Sequence, residues 1–313
     1  MQLIETKNES LEKLANYTVR YFVENSLSQN SRKAYRKDVE HYRAWGGFIP
    51  SSPDTVAQYL SAHAESHSMA TLCRWLVSIR KAHTMQGYAD PTKSDLVKLT
   101  LKGIKRVQGK PQTQASPILK EDIVVMLSHC PDTIKGKRDA ALLLLGFCGA
   151  LRRSELVAVK ISDLEFNSQG AILTIPRSKT DQTGQGRKIA IPRGKGRICP
   201  VSTLLELIVQ LVAGKNNDDG FIFRSVSKSG VMSDMPLSDR TVSDIIKCYT
   251  RKAGLNPEKY SGHSLRAGLC TSAAQHGISS HKIRQQTGHR SDAMLSRYIR
   301  DGNIFENNAA GLF

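Results

Sequence analysis

A chain of 313 residues, 40% of them hydrophobic, has room for two ordinary domains and is too apolar to be wholly disordered. Its net charge of +17 points to a polyanionic partner, and a lone basic tail is excluded, because residues 1–110 hold 17 Lys and Arg against 10 Asp and Glu and the remainder 28 against 18. The cysteines Cys73, Cys130, Cys148, Cys199, Cys248 and Cys270 stand at no metal-ligand spacing and form no Cys-x-x-Cys, which predicts reduced, packed thiols.

Residues 9–107 read as helices. Leu11, Leu14, Val19 and Phe22 fall near helical spacing. The next segment is basic, and Arg32 with Arg36, and Lys33 with Lys37, each share a helix face. Ser52-Pro53 starts another helix, with proline where its missing N–H costs nothing. A helix over 69–85 turns Leu72, Leu76 and Ile79 inward and leaves Arg74, Arg80 and Lys81 outward. A short helix follows over 94–107.

Residues 108–117 are polar, carry two prolines and have linker composition, so the expected division is a helical domain over 1–107, a linker over 108–117 and a second domain over 118–313. Helices are predicted over 120–130 and 137–148. The apolar run 140–151 is too short to cross a bilayer, and the first residues, Met-Gln-Leu-Ile-Glu-Thr-Lys, lack the apolar core of a secretory signal. A short helical turn covers 153–159. The period then changes. Residues 171–176 and 187–192 are β-branched runs joined by a glycine-containing hairpin, which puts Lys179 at or near a strand end. Helices resume over 201–213, 239–253, 264–276, 280–287 and 292–300, with Ser238, Ser279 or Ser280, and Ser291 as N-caps and Gly254, Gly277 and Gly302 as stops.

Chemistry gathers in this second part. Arg152 and Glu155 lie three apart at a helix start, where the carboxylate steadies nearby donors and the guanidinium projects; adjacent Arg153 is a rival for the same position. His263 and Arg266 share a helix face, followed by the small residues Ala267, Gly268, Ala273 and Ala274, which suit close helix packing. Thr287-Gly288-His289 precedes Tyr298, which Arg297 and Arg300 flank. Paired arginines grip phosphate oxygens, lysine and histidine move protons, and a tyrosine hydroxyl can attack phosphorus. Composition alone leaves Tyr249 and Tyr260 open as nucleophiles beside Tyr298.

The ordered set Arg152, Lys179, His263-x-x-Arg266, His289 and Tyr298 resembles the tyrosine recombinase, or phage integrase, family. Ser-Gly-His-Ser-x-Arg and Tyr-Ile-Arg are similar to its Cre recombinase branch, although His289 stands where Cre carries a tryptophan. The resemblance is strongest over 137–301. It implies a mostly α fold with a small β-sheet, and a two-domain C-shaped DNA clamp of helical core-binding domain and catalytic domain. It also implies site-specific recombination at paired inverted repeats by a tetramer, through a 3′-phosphotyrosine and a Holliday junction. Tyr298 would attack, His263 act as base, Arg152 and Arg266 hold the non-bridging oxygens, Lys179 protonate the leaving 5′ oxygen, His289 donate to the phosphate and Glu155 orient the basic groups. Neither a metal nor ATP is implied. The chain is expected to be a monomer in solution, to act on double-stranded DNA in a prokaryotic, phage or plasmid setting in the cytoplasm, and to exchange its tail, with Ile304, Phe305, Leu312 and Phe313, between protomers. Expected DNA contacts are Arg32, Lys33, Arg36, Lys37, Arg74, Arg80, Lys81, Arg224, Lys228 and the groove-reading Arg240. A type IB-like topoisomerase and a catalytically idle DNA-binding regulator are the alternatives on the same scaffold.

Overall fold

The computed structural model describes residues 18, 21–22, 26–109, 114–176, 186–194, 196, 198–213, 219–227, 229–289, 291, 295–296 and 298. The chain divides into two compact units, Met1–Thr113 and Gln114–Phe313.

The first unit contains α1 (Gln29–Ala44), α2 (Pro53–Ala62), α3 (Met69–Thr84) and α4 (Asp95–Gln108). Each begins on a serine whose hydroxyl accepts a first-turn N–H: Ser28, Ser52, Ser68 and Ser94. The core forms where the apolar faces meet, from Tyr42, Val56, Tyr59, Leu60, Leu72, Trp75, Ile79, Val97 and Ile104. Asp38 on α1 is buried within this unit and takes both Nε and Nη2 of Arg74 together with the Ser78 hydroxyl, an α1–α3 tie.

The second unit is built around α6 (Ile134–Cys148), which is apolar nearly all round and buried accordingly from Ala141 to Phe147. Its start at Ile134, earlier than the expected 137, follows from Thr133, whose hydroxyl accepts the Gly136 N–H at 3.2 Å. Packed on it or beside it are α5 (Lys120–Ser128), the short α7 (Arg153–Val157), α8 (Pro200–Val212), α9 (Asp239–Lys252) and α10 (Ser264–Gln275); α11 (Ser280–Thr287) packs on α10. The sheet is an antiparallel meander of β1 (Leu164–Phe166), β2 (Gly170–Ile175) and β3 (Arg187–Pro192), with Leu173 opposite Ile189 and Ile175 opposite Arg187. Alternation puts Ala171, Leu173, Ile175, Ile189 and Ile191 in the core.

Two features depart from the sequence expectation. The three-residue β1 and a hairpin of β4 (Arg224–Val226) and β5 (Met232–Pro236) lack a readable period, being too short and too polar. Gly254 and Gly277 do stop their helices, at φ +77° and +67°. Leu295, Ser296 and Tyr298 are helical. The expected hairpin turn with Lys179, as well as Lys228, Arg297, Arg300, Gly302 and the tail from 303, lie outside the described residues. No helix among the described residues is long and apolar enough to cross a membrane.

Candidate active site

Four separate stretches of the second unit bring Arg152, Arg187, Arg266 and His289 into one electrostatic neighbourhood, and two of these, Arg152 and Arg187, bond Glu155. Arg152 is the N-cap of α7, so its backbone N–H needs an acceptor, and Glu155 supplies one at 3.0 Å with Oε2. The other oxygen, Oε1, accepts from Arg152 Nη1 at 2.6 Å. Arg187 enters from the first position of β3 and donates Nη2 to Glu155 Oε2 at 3.3 Å and Nη1 to the Gln286 carbonyl at 3.1 Å. The Glu155 carboxylate is only 4% exposed. Burial works to raise its pKa, but the Arg152 N–H and guanidinium and the Arg187 charge prevail and hold it below the ordinary value.

Arg266, in the first turn of α10, is 5% exposed and donates Nη1 to the Ala150 carbonyl at 2.6 Å. That carbonyl is aimed by a sharp turn after α6, in which Ala150 takes a left-handed φ of +46°. Arg266 Nη2 and Arg187 Nε are buried with no hydrogen-bond partner among the described residues. Such donors are costly in a fold and suit an oxyanion. Burial first, then the Arg152 and Arg187 charges, push the Arg266 guanidinium down to about 10.

His289 follows the left-handed Gly288 that ends α11. It is buried, and its Nδ1 lies 2.7 Å from the Thr287 hydroxyl. Burial, followed by the charges of Arg266, Arg152 and Arg187, pushes it down to about 4, so it is neutral at physiological pH. Tyr298 is half-buried beside it, ring centroids 6.1 Å apart, on the small cluster of Cys270, Ala274, Ile283 and Leu295. His263 is exposed at the N-cap of α10, one turn from Arg266.

The structure separates the rivals. Arg153 turns away, donating Nη1 to Ser243 Oγ at 2.9 Å and packing over Gly262, where a Cβ would strike its side chain. Tyr249 is buried and donates its hydroxyl to Asp139 at 3.1 Å; burial and that carboxylate push its pKa far up. Tyr260 is also raised by burial. Arg224 corrects an expectation: it is 2% exposed and is held by the Phe221 carbonyl (2.6 Å) and Asp234 (3.3 Å), so its guanidinium serves the β4–β5 hairpin and not a phosphate. Arg74 is half-exposed but bound bidentately to Asp38. Lys33, Arg36, Lys37, Arg80 and Arg240 are exposed, and Arg32 and Lys81 half-buried.

Sequence reasoning missed Arg187, Ala150, Gln286 and Thr287. For Arg187 a signal existed, since it shares the strand parity of the buried Ile189 and Ile191. Gln286 is placed by tertiary structure alone, donating Nε2 to the carbonyls of Cys148 (2.8 Å) and Ala190 (3.1 Å).

Three guanidinium groups, a neutral imidazole and one carboxylate, with a tyrosine at the side, gather buried cationic donors suited to an oxyanion. The phage integrase family profile matches residues 117–303. The chain is 37% identical over 297 residues to an integrase/recombinase XerD homolog of Selenomonas ruminantium, covering 92% of this chain and 86% of that protein. Solved structures share the fold at low identity. XerH site-specific recombinase bound to palindromic difH substrate matches with a TM-score of 0.65 at 17% identity, over 90% of this chain and 79% of that one. A lambda integrase dimer bound to a COC′ core site matches with a TM-score of 0.64 at 19% identity, over 93% and 95%. The chain belongs to the phage integrase family and is a tyrosine site-specific recombinase acting on DNA.

Proposed function

We propose that this recombinase cuts and rejoins DNA at paired inverted repeats through a 3′-phosphotyrosine on Tyr298, as a tetramer that passes through a Holliday junction. The observation that carries this is the gathering of Arg152, Arg187, Arg266 and His289 into one electrostatic neighbourhood, with Tyr298 against the imidazole.

In this reading Arg152 and Arg266 hold the non-bridging oxygens of the scissile phosphate, whose charge grows in the transition state. Arg187 shares Glu155 with Arg152 and keeps both guanidinium groups in place. Tyr298 attacks phosphorus in line. Its phenol, with an ordinary pKa of about 10, must lose its proton to a base, and His263 is the candidate, while His289 donates to the phosphate. Lys179 protonates the departing 5′ oxygen. The phosphotyrosine keeps the bond reactive, so a 5′-hydroxyl from a partner duplex reseals it. Residues 1–107 bind DNA through Arg32, Lys33, Arg36, Lys37, Arg80 and Lys81, and Arg240 at the start of α9 reads a base edge. The apolar tail residues Ile304, Phe305, Leu312 and Phe313 dock on a neighbouring protomer. The setting is the DNA of a prokaryotic cell, phage or plasmid.

The test is a selection. Nicked duplexes with randomised inverted repeats are incubated with the protein, and DNA that stays attached under denaturing conditions is recovered and sequenced. A single consensus is expected, and Tyr298→Phe abolishes the adduct. Adducts on unrelated sequences would indicate a topoisomerase, no adduct at all a DNA-binding regulator, and an adduct surviving Tyr298→Phe would move the nucleophile to another tyrosine.

A further inference from the structure

Gln286, in the last turn of α11, ties three stretches of the second unit together. Its side-chain Nε2 carries two protons and uses both, one on the Cys148 carbonyl at 2.8 Å and one on the Ala190 carbonyl at 3.1 Å. Cys148 ends α6, where a helix leaves its last carbonyls without an intrahelical partner, and Ala190 lies on β3, an edge strand of the three-stranded sheet. The backbone carbonyl of Gln286 is itself a helix-end acceptor and takes Arg187 Nη1 at 3.1 Å. The same guanidinium lies against the turn that follows, because a Cβ on the left-handed Gly288 would strike it.

Each of these points stands close along the chain to a group of the active site. Two residues after Cys148, the Ala150 carbonyl accepts Arg266 Nη1. Three residues before Ala190, Arg187 donates Nη2 to the carboxylate that also holds Arg152. Three residues after Gln286 comes the buried His289. We infer that Gln286 is a positioning residue for DNA cleavage, whose amide locks the Ala150 turn, β3 and the Gly288 turn into one frame and so fixes Arg266, Arg187 with Arg152, and His289 relative to one another. This deepens the function proposed above and rests on its reading of Arg152, Arg266 and His289 as a joint grip on the phosphate.

Side chains of similar length cannot do the same. Methionine fills the space with no donor at all. Glutamate at neutral pH has no proton to give and would set a carboxylate against two carbonyl oxygens. Because Gln286 is half-buried, water can take over as donor to the two carbonyls, which limits the loss of stability. Separate waters on the two carbonyls do not hold them at a fixed separation, however. The cost of losing the amide therefore falls on the geometry of the arginines and His289, and so on the rate at which bound DNA reacts, more than on folding or DNA affinity.

Two measurements on the full-length protein test this. With a saturating amount of the nicked duplex recovered by selection, Gln286→Met should form the Tyr298 adduct about tenfold more slowly while its DNA affinity stays unchanged, and Gln286→Glu should be slower still. In nitrogen-15 NMR of histidine-labelled protein without DNA, the imidazole signal absent from His289→Gln reports on placement. Burial and the charges of Arg266, Arg152 and Arg187 hold that group down to about 4 in the unaltered protein, and in Gln286→Met it should titrate at a higher pH as it leaves them. A Gln286→Met protein that cleaves bound DNA at the full rate overturns the inference. So does one whose deficit lies wholly in DNA affinity, or one in which His289 titrates unchanged. An adduct that survives Tyr298→Phe would instead move the nucleophile and leave the DNA-free titration of His289 standing, so the two failures are distinguishable.

Discussion

Replacing Glu155 by glutamine keeps the shape of the side chain and removes the one negative charge bonded to both Arg152 and Arg187 among the described residues. The carboxylate accepts three hydrogen bonds, two from Arg152 and one from Arg187, at 2.6 to 3.3 Å. Bonds to charged groups contribute about 1.5–3 kcal/mol each. The glutamine oxygen can keep one or two of them at neutral strength, but its NH2 then faces a guanidinium. The expected loss is about 3 kcal/mol at pH 7, at the lower end of the range for breaking a buried ion pair. The pH dependence has a definite sign. Glu155 has a folded pKa below the ordinary 4.5, so its contribution is complete above that value and disappears as pH falls through the folded pKa. The difference between the two proteins should therefore be full at pH 7 and shrink in acid as Glu155 takes up its proton below the ordinary value. Urea unfolding followed by amide exchange in α7 and β3 measures it. The chain's two tryptophans, Trp45 and Trp75, both lie in the first unit, so their fluorescence transition is an internal control that should not move. A stability difference under about 0.5 kcal/mol at pH 7, the scatter of ordinary surface changes, would refute the claim that this carboxylate holds the arginines together.

Gly268→Ala should destabilise the second unit by about 3 kcal/mol in the same urea assay, because the new methyl would run into the Ile118 backbone carbonyl, which cannot move aside. Tyr249→Phe should cost about 1 kcal/mol from its lost bond to Asp139 and leave adduct formation intact. Arg240→Ala should lower the slope of log affinity against log salt by about one if it meets a phosphate, or relax the selected consensus at one position if it reads a base, without loss of stability. Arg224→Ala should instead lower stability by about 2 kcal/mol, since it strips the half-buried Phe221 carbonyl of a charged donor.

Much of the site could be read from the chain because its chemistry is local in sequence. Arg152 with Glu155, and His263 with Arg266, each sit within one helical turn, so helix geometry alone predicts their joint placement. The helix starts were legible for a similar reason, since Ser52, Ser94 and Ser238 act on N–H groups two or three residues away. What escaped depends on tertiary structure. Arg187 reaches Glu155 only because β3 pairs with β2 and lies beside α7. Arg224 looks like any surface arginine until the hairpin closes over it. Choosing Arg152 over Arg153 needed Gly262, more than a hundred residues away, to provide the surface on which Arg153 lies.

The crowding of Arg152, Arg187 and Arg266 around one carboxylate has a consequence for the life of the protein outside catalysis. Whatever oxyanion settles among these cations adds to the folding free energy, and a duplex present at a hundred times its Kd would add about 2.7 kcal/mol. The recombinase is then hardiest while seated on its target and most open to proteolysis after it lets go. Turnover in the cell would fall first on copies that have found no DNA.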